Sequence, residues 1–289
     1  MNIILTGHRG LIGDSLKKLF EQRGHKIVKG IDIREGLNIL DIGQIPIEDE
    51  VGLMVHAAAH CKINQSIKEP GLSYKNNVLG SSNVLEFCRK KDIPKIVFFS
   101  SSRVLSKEKN PYTASKLYGE ELCKSYQHSY GINYVIIRPS TVYGGFWDET
   151  KRLMHIFIAN ALQNKDLEIY GDPKTKTLDF THVKDFTKGV MLAIDHPQWN
   201  KEYNISGKEE FNIYELAKFI IQETRGKSQI KVFDAEIAQP QQVKVDNSEI
   251  EKLGYKPEIG VREGVKETIE WYRRYLKISF LNLDNSSQK

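Results

Sequence analysis

Tyr112 and Lys116 stand four residues apart, and Ser101 lies eleven residues before the tyrosine. On a helix, positions i and i+4 share a face. A nearby ammonium stabilises a phenolate and draws a tyrosine pKa from about 10 toward neutrality. Such a tyrosine can exchange a proton with a substrate hydroxyl or carbonyl while hydride passes between the substrate and a nicotinamide. Ser101 follows the apolar run 95–100 and would hydrogen-bond the same oxygen. Tyr-x-x-x-Lys is common by chance, so its meaning depends on a cofactor site nearby.

That site is expected at Thr6-Gly7-His8-Arg9-Gly10-Leu11-Ile12-Gly13. Gly7 allows a tight turn, Gly10 lets the backbone approach a pyrophosphate, and Gly13 lets helix and strand pack closely. Leu11 and Ile12 open the helix, whose N-terminal N–H groups favour phosphates. Asp32 follows Gly13 by 19 residues, at the end of the next apolar run. That combination reads as a dinucleotide fingerprint. Asp32 would accept hydrogen bonds from the ribose and repel a 2′-phosphate, which points to NAD. Arg9 and Arg34 could pair with that phosphate, so NADP stays open.

These groups need a scaffold. Short apolar runs at 2–6, 26–33, 52–58, 95–100 and 134–138 alternate with helical patterns at 14–23, 72–91 and 111–130, with a short irregular strand at 37–41. Strands separated by helices of this length imply right-handed crossovers and a parallel sheet covered on both faces. The predicted fold is α/β, a Rossmann-type doubly wound sheet with a smaller, discontinuous C-terminal α/β domain. Residues 1–165 form the dinucleotide-binding domain, with 180–205 returning to it. The returning segment carries a helix at 183–195, which packs back on the sheet, and a strand at 203–205; residues 145–180 and 206–277 form the substrate domain, with helices at 153–164, 212–226 and 263–276 and a strand at 167–170. The tail, 278–289, turns mostly polar at Asn282 and is expected to fray from there.

Composition narrows the class. The chain of 289 residues is 40% hydrophobic and 27% charged, which suits a folded domain rather than a disordered one. No apolar run approaches the ~20 residues of a membrane span, and no secretory signal is expected at the N-terminus. The net charge of +5 is scattered, with its densest runs at Arg89-Lys90-Lys91 and Arg273-Arg274, so no nucleic-acid face is expected. Cys61, Cys88 and Cys123 lack metal-type spacing, which suggests a reduced, cytoplasmic protein. His56 and His60 fall at a strand end, where i and i+4 do not converge on a metal.

Further motifs follow in order: Asp41-Ile42, His56-Ala57-Ala58-Ala59, Pro70, Asn76-Asn77-Val78-Leu79-Gly80, Arg138-Pro139-Ser140-Thr141-Val142-Tyr143-Gly144, Ile169-Tyr170-Gly171-Asp172, Asp179-Phe180-Thr181-His182-Val183-Lys184-Asp185, Leu253-Gly254-Tyr255 and Glu263-Gly264-Val265. With them the chain resembles the extended short-chain dehydrogenase/reductases, in the NAD-dependent epimerase/dehydratase group that modifies nucleotide sugars. The resemblance implies that Asp41 and Ile42 lie at the adenine. It places Ala57, Ala58, Ala59, Asn77 and Ser100 with the cofactor. It makes Tyr112 the acid/base, has Lys116 also bind the nicotinamide ribose, and starts the loop beside the nicotinamide at Pro139. It also implies a homodimer through the helices at 72–91 and 111–130.

Departures from that pattern bear on the substrate. Ser102 and Arg103 stand where the group's dehydratases carry Asp-Glu, so a 4,6-dehydratase is not expected. Leu178, and Gln241 and Gln242 after Pro240, occupy places where arginines clamp a diphosphate, and Thr141 replaces an asparagine. Lys174, Lys176 and Lys244 are read as solvated lysines. The substrate residues expected are Ser101, Ser102, Arg103, Thr141 and Trp147. Arg103 either meets a substrate anion or pairs with a neighbouring acid; Trp147 either lines the sugar pocket or packs the second domain. The expected activity is an NAD(P)-dependent sugar epimerase or oxidoreductase working through a 4-keto sugar, and the resemblance implies a nucleotide-linked hexose as its substrate. The alternatives are an NADPH-dependent 4-keto-sugar reductase and a dinucleotide-sensing protein without chemistry.

Overall fold

The computed structural model describes residues 1–235 and 245–286, with side chains described as far as Lys277. The chain runs β1 (Asn2–Thr6), α1 (Leu11–Gln22), β2 (Lys26–Ile31), β3 (Leu53–His56), α2 (Ile63–Lys68), α3 (Pro70–Ser73), α4 (Gly80–Lys90), β4 (Lys95–Phe99), α5 (Pro111–Tyr130), β5 (Asn133–Pro139) and β6 (Thr141–Tyr143). It continues through α6 (Leu153–Leu162), β7 (Leu167–Tyr170), β8 (Thr177–His182), α7 (Val183–Asp195), β9 (Lys201–Ile205), β10 (Glu210–Asn212), α8 (Ile213–Thr224), β11 (Ile230–Phe233), α9 (Ser248–Glu251) and α10 (Val261–Ser286).

Six parallel strands form the main sheet in the order β2-β1-β3-β4-β5-β9. Its interior strands are apolar throughout because both faces are covered. Ile3, Leu5, Leu53, Val55, Val97 and Phe99 point to one side, against Leu16 and Phe20 of α1 and Phe186 and Val190 of α7. Ile4, Met54, Ile96 and Phe98 point to the other, against Val84, Leu85 and Cys88 of α4 and Cys123 of α5. The chain leaves β1 toward β2 on one side and returns to β3 on the other. That reversal opens a crevice at the carboxyl ends of β1 and β3, where such sheets bind ligands.

A third core gathers Tyr143, Phe157, Ile158, Ile169, Phe180, Leu216, Ile220 and Tyr272 beyond the main sheet. Two small sheets, β10-β8-β6 and β11-β7, edge it. Among the described residues no helix is long and apolar enough to cross a membrane.

Several local expectations are corrected. Residues 37–41 form no strand: Asn38 caps a 3₁₀ helix, Ile39–Gln44, by accepting from the Leu40 N–H. The helix expected at 72–91 is interrupted by a π-helical turn, Tyr74–Leu79. β6, β8, β10 and β11 were not expected, because three- to six-residue strands at a sheet edge carry little periodic signal. α10 runs to Ser286, so the backbone does not turn irregular at 282; residues 287–289 lie outside the described residues.

The helix that carries Tyr112 is fixed to the sheet by a buried ion network. Asn110 and Thr113 form a reciprocal cap at its start. Gly119 lets it approach closely, since a Cβ there would stand 2.2 Å from the Phe98 ring. Glu120, 1% exposed, accepts from Ser100 Oγ at 2.5 Å and from Arg138 Nε at 2.8 Å. Arg138 also pairs with Glu202, which reaches Lys124 at 2.8 Å. Removing one partner of such a buried pair leaves an uncompensated charge. Arg138→Met is therefore expected to lower stability by about 3–5 kcal/mol. The double variant Arg138→Met/Glu120→Leu should recover most of that loss, as read by urea denaturation.

Candidate active site

The first glycine turn is shaped for close approach. Gly7 has φ +70°, and a Cβ on it would stand 2.7 Å from Ala58 N. A Cβ on Gly13 would lie 2.2 Å from Gly7 O. The turn is closed by Gly7 N–H donating to Ile31 O at 2.7 Å and Gly10 N–H to Gly7 O at 3.0 Å. α1 starts at Leu11, three residues earlier than its apolar periodicity suggested, so its first N–H groups face the cleft. Gly7, Gly10, Leu11, Ile12, Gly13, Asp32, Arg34, Ala57, Ala58 and Ala59 line this one cleft.

Asp32 is buried, and its two carboxylate oxygens accept from the Arg9 and Arg34 N–H groups, each at 3.0 Å. The arginines are engaged elsewhere. Arg34 Nη1 donates to Arg9 O at 2.8 Å and its Nε lies 3.3 Å from Glu149. Arg9 is exposed and lies 3.7 Å from Glu35. Of the two residues placed at the adenine, Asp41 is exposed and Ile42 is buried in the core. The adjoining wall is formed by Leu37, Asn38 and Ile39.

Ser101, Tyr112 and Lys116 meet at the carboxyl end of β4, all buried. Ser101 hydrogen-bonds Tyr112 and caps the 3₁₀ turn Ser102–Leu105, accepting from the Arg103 N–H at 3.2 Å. Lys116 Nζ donates to Phe99 O at 2.8 Å. Asn77, in the π turn, does not face the cleft: its amide accepts from His60 N–H at 2.8 Å and donates to His60 O at 3.0 Å and Ser115 Oγ at 2.9 Å. It ties the cleft wall to α5. Ser100 likewise gives its hydroxyl to Glu120. Pro139 ends β5 and Thr141 begins β6, so the loop between them is one residue long.

The expected effect of Lys116 on Tyr112 is corrected by the electrostatics. Burial pushes Tyr112 up to about 12, and Lys116 is not among the groups acting on it. The cations that lower it are Arg103 and Arg152. Lys116 is itself pulled down to about 8 by burial. Its ammonium is directed at the strand carbonyl and does not offset the desolvation of the phenol.

The segment after β6 was not foreseen in the site. Asp148, Thr150 and Arg152 line the cleft, with Arg152 Nε 2.6 Å from Asp148. Their polar run carries no periodic signal; only the tertiary fold shows which way it turns. Cys61 joins the same wall, whereas Cys88 and Cys123 are buried in the core. Trp147 does not line the cleft. It stacks on Tyr275 with centroids 4.9 Å apart and meets His155 edge-on, within the third core. Ser102 is buried beside Ser101, and Arg103 pairs with no acid among the described residues. Leu178 packs into the third core, Lys174 is exposed, and Lys176 is buried with its ammonium on Tyr170 O. Gln241, Gln242 and Lys244 lie outside the described residues.

Comparison with known proteins matches this architecture. The model of the NAD dependent epimerase/dehydratase family matches residues 3–206, and the chain belongs to that family of enzymes. It is 31% identical to a putative UDP-glucose 4-epimerase of Methanocaldococcus jannaschii, over 94% of this chain and 98% of the relative. Its fold is shared with a dTDP-glucose 4,6-dehydratase of Streptomyces venezuelae solved with NAD and TYD, at TM-score 0.85 and 22% identity, covering 95% and 97% of the two chains. It is shared equally with a UDP-glucuronic acid 4-epimerase of Bacillus cereus solved with UDP-glucuronic acid and NAD, at TM-score 0.84 and 23% identity, covering 95% and 100%.

His56 has both ring nitrogens engaged, Nδ1 with Thr6 Oγ1 at 2.8 Å and Nε2 with Ser81 Oγ at 3.1 Å. It is a strut between β1, β3 and α4. Burial pulls its pKa down to about 3. An unfolded imidazole takes its proton near 6.5. Between those values the unfolded chain binds the extra proton, so stability falls as pH drops from 6.5 toward 3. His56→Gln is expected to flatten that slope by up to about 1.4 kcal/mol per pH unit, measured by urea denaturation between pH 6.5 and 4.5.

Proposed function

We propose that this protein is an NAD-dependent epimerase of a nucleotide-linked hexose. The observation that carries this reading is Tyr112 hydrogen-bonded to Ser101 at the carboxyl end of β4, with Cys61 of the cleft that holds the glycine turn and Asp32 within electrostatic reach of both Tyr112 and Lys116. The cleft fits a dinucleotide because Gly7 and Gly13 remove the Cβ atoms that would fill the turn. Gly7, Gly10 and the first N–H groups of α1 would hold the pyrophosphate. Asp32 would receive the adenosine ribose, and Ala57, Ala58 and Ala59 would wall the rest. NAD bound there supplies a reversible two-electron acceptor for a sugar carbon.

The chain's own groups handle the proton. Tyr112 takes it from the sugar hydroxyl and returns it, while Ser101 hydrogen-bonds the same oxygen and holds it in line. Arg103 and Arg152 favour the phenolate that this exchange requires. The sugar oxidised at C4 can be reduced again on its other face, which inverts that carbon. Elimination of water from the sugar would need an acid and a base beside the ring. Ser102 and Arg103 provide no carboxylate there, which favours epimerisation over 4,6-dehydration. Exposed Tyr74, Leu79 and Tyr118 on the π turn and α5 support a homodimer through those helices.

Tyr112→Phe is expected to lower kcat by about 10²–10⁴-fold while NAD affinity is retained. Turnover at the wild-type rate would remove the phenol from the mechanism. Asp32→Ala should narrow the preference for NAD over NADP by about 10–100-fold, the worth of a charge-assisted hydrogen bond. Mass spectrometry of the nucleotide released on denaturation checks the same point; retained NADP would overturn it.

A further inference from the structure

Arg103 is the one arginine of the site whose guanidinium has no hydrogen bond or ion pair with any described residue. Its Nη1 is sealed from solvent and unpartnered. Its backbone is fixed, because Ser101 caps the turn that carries it. Arg152 differs, being paired with Asp148 at 2.6 Å. The nearby acids are both committed, Asp148 to Arg152 and Thr150, and Glu120 to Arg138 and Ser100. Arg103 and Arg152 are therefore the cations that act on Tyr112, and of the two only Arg152 has an acid of its own, Asp148. A guanidinium nitrogen sealed from water without a partner is costly to keep. Burial indeed draws the Arg103 pKa down from its ordinary value.

Position decides which anion fits. Arg103 is two residues from Ser101 and within electrostatic reach of Tyr112, the two groups that address the reacting oxygen. A diphosphate sits on the anomeric carbon, across the ring from C4. A carboxylate on C5 sits beside C4. Its two oxygens match the planar fork of a guanidinium. We propose that Arg103 receives a carboxylate on the carbon next to the reacting one, so that the sugar taken by this site is a hexuronate. The proposal rests on the epimerase reading and adds the substrate class to it.

The test uses the NAD-loaded protein, with UDP-glucuronate, UDP-glucose and UDP as probes. Binding is measured by calorimetry and turnover by kcat/KM. The wild type is expected to favour UDP-glucuronate over UDP-glucose by about 10–100-fold, the worth of a hydrogen-bonded charge pair. Arg103→Gln should bring that ratio close to one, and Arg103→Lys should restore part of it. The melting temperature of ligand-free Arg103→Gln should equal or exceed that of the wild type, because a charge without a partner has been removed. A wild type without uronate preference, or one that binds neither sugar nucleotide, overturns the proposal. So does an Arg103→Gln variant that weakens all three probes equally, as a diphosphate contact would, or one that melts earlier. Uronate binding that depends on Arg103 without turnover would sink the epimerase reading and leave the carboxylate site standing.

Discussion

The Glu120 carboxylate is the constraint on which the arrangement of the site depends. Tyr112, Lys116 and Glu120 follow one another at four-residue intervals along one face of α5. Glu120 is bound to Ser100 on β4 and to Arg138 on β5, and Lys116 is bound to Phe99 O. A rotation or slide of α5 would break all three contacts together. Tyr112 thus inherits its position from a charge pair two turns away. That pair is buried, so its geometry cannot be traded for contacts with water. Gly119 completes the constraint by removing the side chain that would hold the helix off the sheet.

The cofactor side is positioned by backbone rather than by charge. The β1–α1 turn tolerates no Cβ at Gly7 or Gly13, and Asp32 is held by two N–H groups of neighbouring turns. Asn77 then links the two sides, since its amide spans His60 on the cleft wall and Ser115 on α5. The π turn around it sets this asparagine where an uninterrupted helix would place a different residue. The distance between the glycine-turn cleft and Tyr112 is consequently set by hydrogen bonds that are all internal to the protein.

What was legible in the sequence follows this division. The glycine turn, Asp32 and the Tyr-Lys pair act through local spacing, so they can be read before the fold is known. The buried strands are equally legible, because residues such as Ile3, Ile4 and Leu5 are apolar on both faces. The direction of a side chain across the fold is not. Asn77 and Ser100 sit next to the cleft, yet both are turned to structural partners. Trp147 follows the Gly144-Gly145 turn but falls into an aromatic stack with Tyr275. Asp148 and Arg152 belong to the cleft through a turn that has no periodicity. The pKa expectation for Tyr112 failed for a related reason: spacing places Lys116 on the right helix face but does not show that its ammonium is directed at Phe99 O.

These positions together show how positive charge is distributed in the site. Leu178 packs against the third core and carries no charge, so that strand offers no anion clamp. Positive charge is concentrated instead around Tyr112, through Arg103 and Arg152. The same two guanidinium groups that would grip an anion also lower the cost of ionising the phenol. An anion that neutralised Arg103 would weaken that help, leaving Arg152 as the cation that still acts on Tyr112. Because Asp148 holds Arg152 within its own salt bridge, that remaining effect is fixed by the protein and does not depend on which sugar is bound.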